Sequence, residues 1–272
     1  MKMSKLTNIH RFFGALVLLL AGSLVWAGEA DESAWIQTIK PQFFGDRVID
    51  ESGGVIELTA PYRAEDPALT PLQITAKIAQ TPERYIKTLS LFIDNNPVPF
   101  SARFDLTPDS GKADLAMRVR VNSYTYVRAI AETSDAKLYM AKAYVKASGG
   151  CSAPIGTDIE AAMARMGKMK FKLEGNTLNP GEPNQVQLLI SHPNITGLQM
   201  DQISRIIKPP HFVDTLKVSF NGKPILSAQT DIAISADPNF RFFFKPDQAG
   251  ELKAEIKDNL DNHYTFSQAV AP

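Results

Sequence analysis

The strongest constraint on this chain is an alternation of period two. Leu115, Met117, Val119 and Val121 alternate with Ala116, Arg118, Arg120 and Asn122. Leu216, Val218 and Phe220 alternate with Lys217, Ser219 and Asn221, and Leu252, Ala254 and Ile256 with Lys253, Glu255 and Lys257. Successive side chains of a strand leave opposite faces, so each run predicts a strand with one face buried and one in water. Further runs rich in strand formers are Gly54–Thr59, Leu72–Ala79, Ile86–Ile93, Tyr124–Glu132, Leu138–Lys146, Met169–Leu173, Val186–Ser191, Ile232–Ser235, Phe240–Phe244 and Tyr264–Ala269. Turn signals separate them: Asp94-Asn95-Asn96-Pro97, Pro108-Asp109-Ser110-Gly111, Asn179-Pro180-Gly181 and Asp258-Asn259. Asn221-Gly222 is the pair of a two-residue hairpin, although Pro224 weakens the returning strand.

No long helical pattern alternates with these strands, which predicts antiparallel sandwiches. Two short helices are expected. Trp35, Ile36, Ile39 and Phe43 give near-helical spacing within Glu29 to Phe44, limited by Pro41. Asp158 to Met166 is a good helix former, with Thr157 or Asp158 as its cap. Before it, Ser148-Gly149-Gly150 and Ser152 to Gly156 read as loop. This divides the chain into two β-rich halves, each the size of an immunoglobulin-like sandwich of about 100 residues. The expected class is therefore all-β, two such sandwiches in tandem, with a short N-terminal helix and a helical interdomain linker.

Lys2, Lys5 and Arg11 precede an apolar stretch from Phe12 to Trp26, and Val25-Trp26-Ala27 offers small residues at the cleavage positions. This is the pattern of a secretory signal, with cleavage expected after Ala27. The apolar run is shorter than the ~20 residues a membrane span needs. Residues 1–27 carry three positive charges and no acids, so the 29 basic and 29 acidic residues of the whole chain become a net charge of −3 after cleavage. No basic excess exists to neutralise phosphates, which argues against nucleic acid as a partner. A charged fraction of 21% beside 44% hydrophobic residues excludes a disordered chain.

Cys151 is the single cysteine. It excludes an internal disulfide and any multi-cysteine metal site. In an oxidising compartment an odd thiol suggests intermolecular chemistry. Gly149 and Gly150 precede it directly after an expected strand, which reads as a flexible, solvated arm carrying an exposed thiol. The nearest cation along the chain is Lys146, opposed by Asp158, so an ordinary thiol with a few per cent thiolate at neutral pH is expected. That suits a passive attachment site better than a catalytic nucleophile, which would want a fixed histidine base.

The remaining candidates read as structure. His192, His211 and His263 lack a short ligand spacing, and His192 before Pro193 and His211 after Pro210 sit at strand edges as local hydrogen-bonding groups. Met163, Met166 and Met169 offer soft thioethers, but their spacing reads as one apolar helix face closing over a core. Phe240, Phe242, Phe243 and Phe244 read as a buried central strand or an interface. The chain has no Gly-x-Gly-x-x-Gly, Walker or Gly-x-Ser-x-Gly pattern. No enzymatic activity, cofactor or metal is expected.

The first half resembles SoxY of sulfur oxidation. The stretches that carry this are Tyr85-Ile86-Lys87, Asp94-Asn95-Asn96-Pro97-Val98-Pro99, Phe104-Asp105-Leu106-Thr107-Pro108, Arg118-Val119-Arg120-Val121, Val127-Arg128-Ala129-Ile130-Ala131-Glu132 and Val145-Lys146-Ala147-Ser148-Gly149-Gly150-Cys151. The second half resembles SoxZ through His192-Pro193-Asn194-Ile195-Thr196-Gly197, Lys208-Pro209-Pro210-His211-Phe212-Val213, Asn221-Gly222-Lys223 and Asp258-Asn259. The fused order is similar to SoxYZ-like carriers associated with quinoprotein alcohol dehydrogenases.

The resemblance implies a signal peptide over 1–27, a SoxY-like domain over 28–151, a linker over 152–167 and a SoxZ-like domain over 168–272. It implies that Cys151 holds sulfur intermediates covalently through a cleavable S–S linkage, on an arm formed by Gly149 and Gly150, while the SoxZ-like half docks partners. The expected function is that of a periplasmic sulfur-compound carrier of thiosulfate-type oxidation. Its expected partners are periplasmic sulfur-oxidising enzymes or a quinoprotein dehydrogenase system, with no nucleic acid and no membrane after cleavage. The alternative is a non-covalent docking module for a periplasmic quinoprotein dehydrogenase or its cytochrome. One departure stands out. In SoxY the cysteine lies near a free C-terminus, usually followed by glycine, whereas here Ser152-Ala153-Pro154 and a whole domain follow. Both ends of the arm are held, which shortens its reach.

Overall fold

The computed structural model describes residues 31–154, 159–201 and 204–271. The expected signal, with its cleavage site after Ala27, and the proposed cap at Thr157 or Asp158 lie outside these residues. Among the described residues no helix is long and apolar enough to cross a membrane.

Among the described residues fifteen strands carry the fold. In the first half they are β1 (Ile49–Asp50), β2 (Ile56–Thr59), β3 (Thr70–Ala76), β4 (Ile86–Ile93), β5 (Phe100–Leu106), β6 (Leu115–Val119), β7 (Thr125–Thr133) and β8 (Leu138–Val145). In the second half they are β9 (Met169–Leu173), β10 (Asn184–Ile190), β11 (Val213–Phe220), β12 (Lys223–Thr230), β13 (Asn239–Phe244), β14 (Gly250–Asp258) and β15 (His263–Val270). The expected strand at Ile232–Ser235 is instead a turn, tied to β6 only by an isolated bridge from Ile234 to Val119.

The strands form two sheets, and each sheet runs through both halves. The nine-stranded sheet has the order β1-β8-β7-β4-β5-β12-β11-β14-β15, and the six-stranded sheet β2-β3-β6-β13-β10-β9. The halves join edge to edge, β5 on β12 from Ala102–Thr230 to Leu106–Leu226, and β6 on β13 at Ala116–Arg241. Each junction satisfies edges that would otherwise template aggregation. Both halves of the all-β sandwich therefore share one core, in which Ile74, Leu89, Phe104 and Leu115 are continuous with Val186, Leu216, Phe242 and Ala254. Phe104 meets Phe240 edge-on at 5.8 Å across the sheets.

Period two decides what is buried. β13 lies inside its sheet, with Phe240, Phe242 and Phe244 buried, Arg241 exposed and Phe243 half-buried under the Lys112 ammonium at 5.1 Å. The methionines behave differently from expectation. Met163 is exposed on the short helix α2 (Ile159–Ala164), so α2 does not close over the core; Met169 reaches it from β9. The N-terminal helix is a π-helical turn, Trp35–Ile39, running into α1 (Lys40–Phe44). Pro41 opens α1 instead of ending the helix, since its fixed φ and missing N–H suit a first turn. Trp35 and Ile39 pack with Phe92, Ile130, Leu138 and Met140 in a second apolar cluster.

Candidate functional site

Cys151 follows β8 in a hydrogen-bonded turn. Gly149 takes φ +78°, where a side chain would be strained, and its N–H donates to the Asn122 carbonyl at 2.8 Å. The Gly150 N–H donates to the Val121 carbonyl at 3.1 Å. A Cβ on Gly150 would lie 2.6 Å from that oxygen and closer still to the oxygen of Pro67. Only glycine fits here. The need for Gly150 is thus close approach of backbone to backbone, rather than freedom to swing.

The second half holds the turn from the other side. Thr196 Oγ1 donates to the Cys151 carbonyl at 2.6 Å, and Gln199 Nε2 to the Ala153 carbonyl at 2.7 Å. Thr196 and Gln199 brace one another through the Thr196 N–H on Gln199 Oε1 at 3.0 Å. The Cys151 N–H points to Asn122 Oδ1 at 3.4 Å. The thiol is consequently not exposed as expected: Cys151 has 0% of its surface in solvent. Burial pushes its pKa up to about 11, against a smaller opposing pull from the Arg120 guanidinium. At neutral pH the thiolate fraction falls from the expected few per cent to roughly one in ten thousand. Burial and the raised pKa both disfavour chemistry at this sulfur in the conformation described.

Arg120 is the neighbour of the cysteine turn that the sequence concealed. Alternation in β6 places it on the polar side, yet it is only 4% exposed, because the end of β6 runs beneath the turn. Its guanidinium donates to the Gly150 carbonyl at 3.3 Å and the Asn194 carbonyl at 3.4 Å. Its Nε–H is buried without a partner. Burial lowers its pKa, opposed by Cys151 and Asp66. The pointer available in the sequence was the unequal company of Arg118 and Arg120, the latter adjoining Val121 and the Asn122 turn.

The histidines of the second half are also buried. His192 and His211 meet edge-on with ring centroids 4.9 Å apart, and ligand atoms of both and of Asp258 lie within 4.8 Å of one another. These are the described residues that could hold a metal. The Asn194 N–H donates to His192 Nδ1 at 3.1 Å, which leaves the ring proton on Nε2. That Nε2 is buried without a partner, 3.7 Å from Asp258 Oδ2. Coordination there would first have to remove this proton, so the geometry fits a structural network better than a metal site. His211 Nε2 is 2.8 Å from Asp258 Oδ2. The cluster supports the segment 192–196, which carries Asn194 and Thr196 to the cysteine turn.

Gly150→Ala gives a direct check on this packing. The added methyl must displace backbone, so a loss of about 1–3 kcal/mol of stability is expected. Thiol labelling by a neutral reagent is expected to quicken at least tenfold, read by mass. Unchanged labelling would mean that the turn is already open in solution.

The Sulfur oxidation protein SoxY family matches residues 40–151, ending on Cys151, and the Sulphur oxidation protein SoxZ family matches residues 172–269. No curated protein matches the chain. Among solved structures, the superoxide reductase (neelaredoxin) from Ignicoccus hospitalis is 13% identical with a TM-score of 0.31, covering 34% of this chain and 79% of that one. Fibronectin(III)-like modules of Clostridium thermocellum CbhA are 10% identical with a TM-score of 0.24, covering 79% and 93%. Likenesses this distant carry no functional argument. The two family matches, which together take in most of the chain in the order SoxY then SoxZ, show that it belongs to the SoxY and SoxZ families of sulfur oxidation proteins, fused in a single polypeptide.

Proposed function

We propose that this protein is a periplasmic carrier that holds sulfur intermediates covalently on Cys151 and presents them to partner enzymes. Its SoxY and SoxZ domains give it a role in sulfur oxidation. The observation that supports a carrier is the position of the single cysteine. Cys151 closes the SoxY match, at the end of a turn built on Gly149 and Gly150. We take 28–151, 152–167 and 168–272 as carrier domain, linker and docking domain, behind a signal at 1–27. The protein supplies the thiol, and partners supply the oxidising and hydrolytic steps. A cleavable S–S bond makes loading reversible by thiol–disulfide exchange.

The buried turn gives the carrier two positions. In the seated position Thr196 and Gln199 clasp the arm and the thiol is protected from overoxidation and dimerisation. In the lifted position the arm reaches a partner, its excursion limited by Pro154 and the domain that follows. The same burial favours the rival reading, a docking module in which Cys151 is structural. Leu198, Ile206 and Ile207 are exposed on the segment that clasps the arm and would serve either reading as a contact surface.

The test is intact mass of protein from the native periplasm, purified without reductant beside Cys151→Ser. Discrete additions of sulfur or sulfonate, lost on reduction and absent from the variant, are the expected result. An unmodified mass after growth on reduced sulfur compounds, with pathway activity unchanged in Cys151→Ser, would sink the carrier reading in favour of docking.

A further inference from the structure

Among the described residues two arginines are buried, and the fold treats them differently. Arg128 is fully buried between Asp94 and Glu32, with its guanidinium 4.7 Å over the Trp35 ring. Arg120 is almost as deep, yet among the described residues it reaches two backbone carbonyls at long distances and no carboxylate within ion-pairing range. A guanidinium stays protonated even when buried, so its charge must be answered or endured at a cost of several kcal/mol. Structural arginines are normally paired in the way Arg128 is. Among the described residues Arg120 has only the Asp66 carboxylate acting on it from beyond ion-pairing range, and an arginine so sparingly answered beside the chain's only thiol leaves room for an anion that is present only part of the time.

The donor geometry narrows the anion. Arginine carries five N–H groups in a planar fork that matches oxoanions bidentately. Arg120 uses two long bonds to hold Gly150 and Asn194, the two sides of the clasp, and keeps its buried Nε–H unspent. The carbonyl it holds belongs to the residue immediately before Cys151. A group attached to the sulfur and ending in several acceptor oxygens would bring its charge within the electrostatic reach of this guanidinium.

We propose that Arg120 is the oxoanion-binding residue for a sulfonate-terminated group carried on Cys151, so that the loaded arm seats with its charge answered inside the fold. The inference rests on the carrier reading and deepens it by naming the residue of this chain that would answer the charge of an anionic cargo. The pull of Arg120 on the thiol, opposite to that of burial, agrees with this placement. A neutral cargo of similar length would bring no charge to Arg120 and would displace the clasp with nothing gained.

The full chain can be loaded chemically in two ways. With tetrathionate, the Cys151 thiolate attacks an inner sulfur, a new S–S bond forms at Cys151, and the central S–S bond breaks. Thiosulfate leaves with the electron pair, and the thiol proton passes to water. With methyl methanethiosulfonate the same attack leaves a neutral S-methyl disulfide and expels methanesulfinate. We expect the anionic adduct to melt at least about 3 °C above the neutral one, a difference worth measuring for a chain of this size. In Arg120→Gln this gap should close, and the rate of loading by tetrathionate relative to the neutral reagent should fall at least tenfold. Equal melting temperatures for the two wild-type adducts would overturn the proposal, whether or not the variant folds. So would a rate ratio that Arg120→Gln leaves unchanged. A native protein found modified on Cys151 while the two adducts melt alike would remove the oxoanion site alone. An unmodified native protein would remove the carrier reading itself.

Discussion

Replacing Asp94 by alanine is expected to destabilise the protein by about 3–5 kcal/mol, because it strands a buried charge. Asp94 and Arg128 are both fully buried, and Arg128 Nε donates to the two Asp94 oxygens at 3.0 and 2.8 Å. Glu32 alone would remain, half-turned to solvent and shared with Lys142 at 2.9 Å. The double variant Asp94→Ala with Arg128→Met removes both charges and should recover most of the loss. Urea unfolding of the three variants measures this; a single-variant loss below about 1 kcal/mol would refute the role assigned to the pair. The effect should extend to the site. Asp94 opens the turn that carries Asn96, whose Oδ1 accepts the Asn122 N–H at 2.8 Å and whose Nδ2 donates to the Arg120 carbonyl at 2.8 Å. Loosening this turn loosens the floor under Cys151.

That chain of contacts shows what the sequence made legible. Asp94-Asn95-Asn96-Pro97 announces a turn through its residue types, and period two announces the strands on either side. Local pattern reports local structure. It is silent on which edge pairs with which, and it leaves unmarked β5, one of the two strands that sew the nine-stranded sheet together; the other, β12, it announces only as the returning arm of the Asn221-Gly222 hairpin. Ser101, Arg103 and Asp105 alternate in β5 with residues as small as Ala102, and Pro224, the second residue of β12, sits opposite Ser219 at a register shift in its hairpin. The proline thus disturbs β12 only at its start, where a missing N–H is tolerated. The setting of Cys151 is illegible for a different reason. Two glycines speak for conformational freedom, but what seats the turn is Asn122 and Thr196, 29 and 45 residues from Cys151. Alternation turns Arg120 to solvent because it assumes that both ends of a strand see the same surroundings. The candidate cysteine was open to the sequence, while its burial and its cation belonged to tertiary packing.

Acid should weaken this protein in a window set by His192. Burial holds its imidazole neutral down to about pH 4, helped by the neighbouring His211 and opposed by Asp258, against an ordinary value of 6.5. The unfolded chain therefore takes up a proton at this ring between pH 6.5 and 4 while the folded protein does not. Stability from this group is complete above pH 6.5 and is lost as pH falls towards 4, amounting to about 2–3 kcal/mol between pH 7.5 and 4.5. Asp258 acts lower. Burial would raise its carboxyl, but hydrogen bonds from Asn262, His211 and the Leu260 N–H hold it down to about 2, so its contribution is lost only below pH 3.8. The two windows are separable. His192→Asn keeps an acceptor for the Asn194 N–H and removes the titrating ring. Urea unfolding at pH 7.5 and 4.5 should then show the loss in the wild type and a flattened response in the variant. An equal acid response in both would assign the window to other groups. The functional stake is the segment from His192 to Thr196, since a proton on His192 places a second positive charge in the structure that presents Asn194 to Arg120 and Thr196 to Cys151. Amide exchange at Gly149 and Gly150, corrected for its intrinsic pH dependence, should accordingly quicken on acidification in the wild type and stay level in His192→Asn.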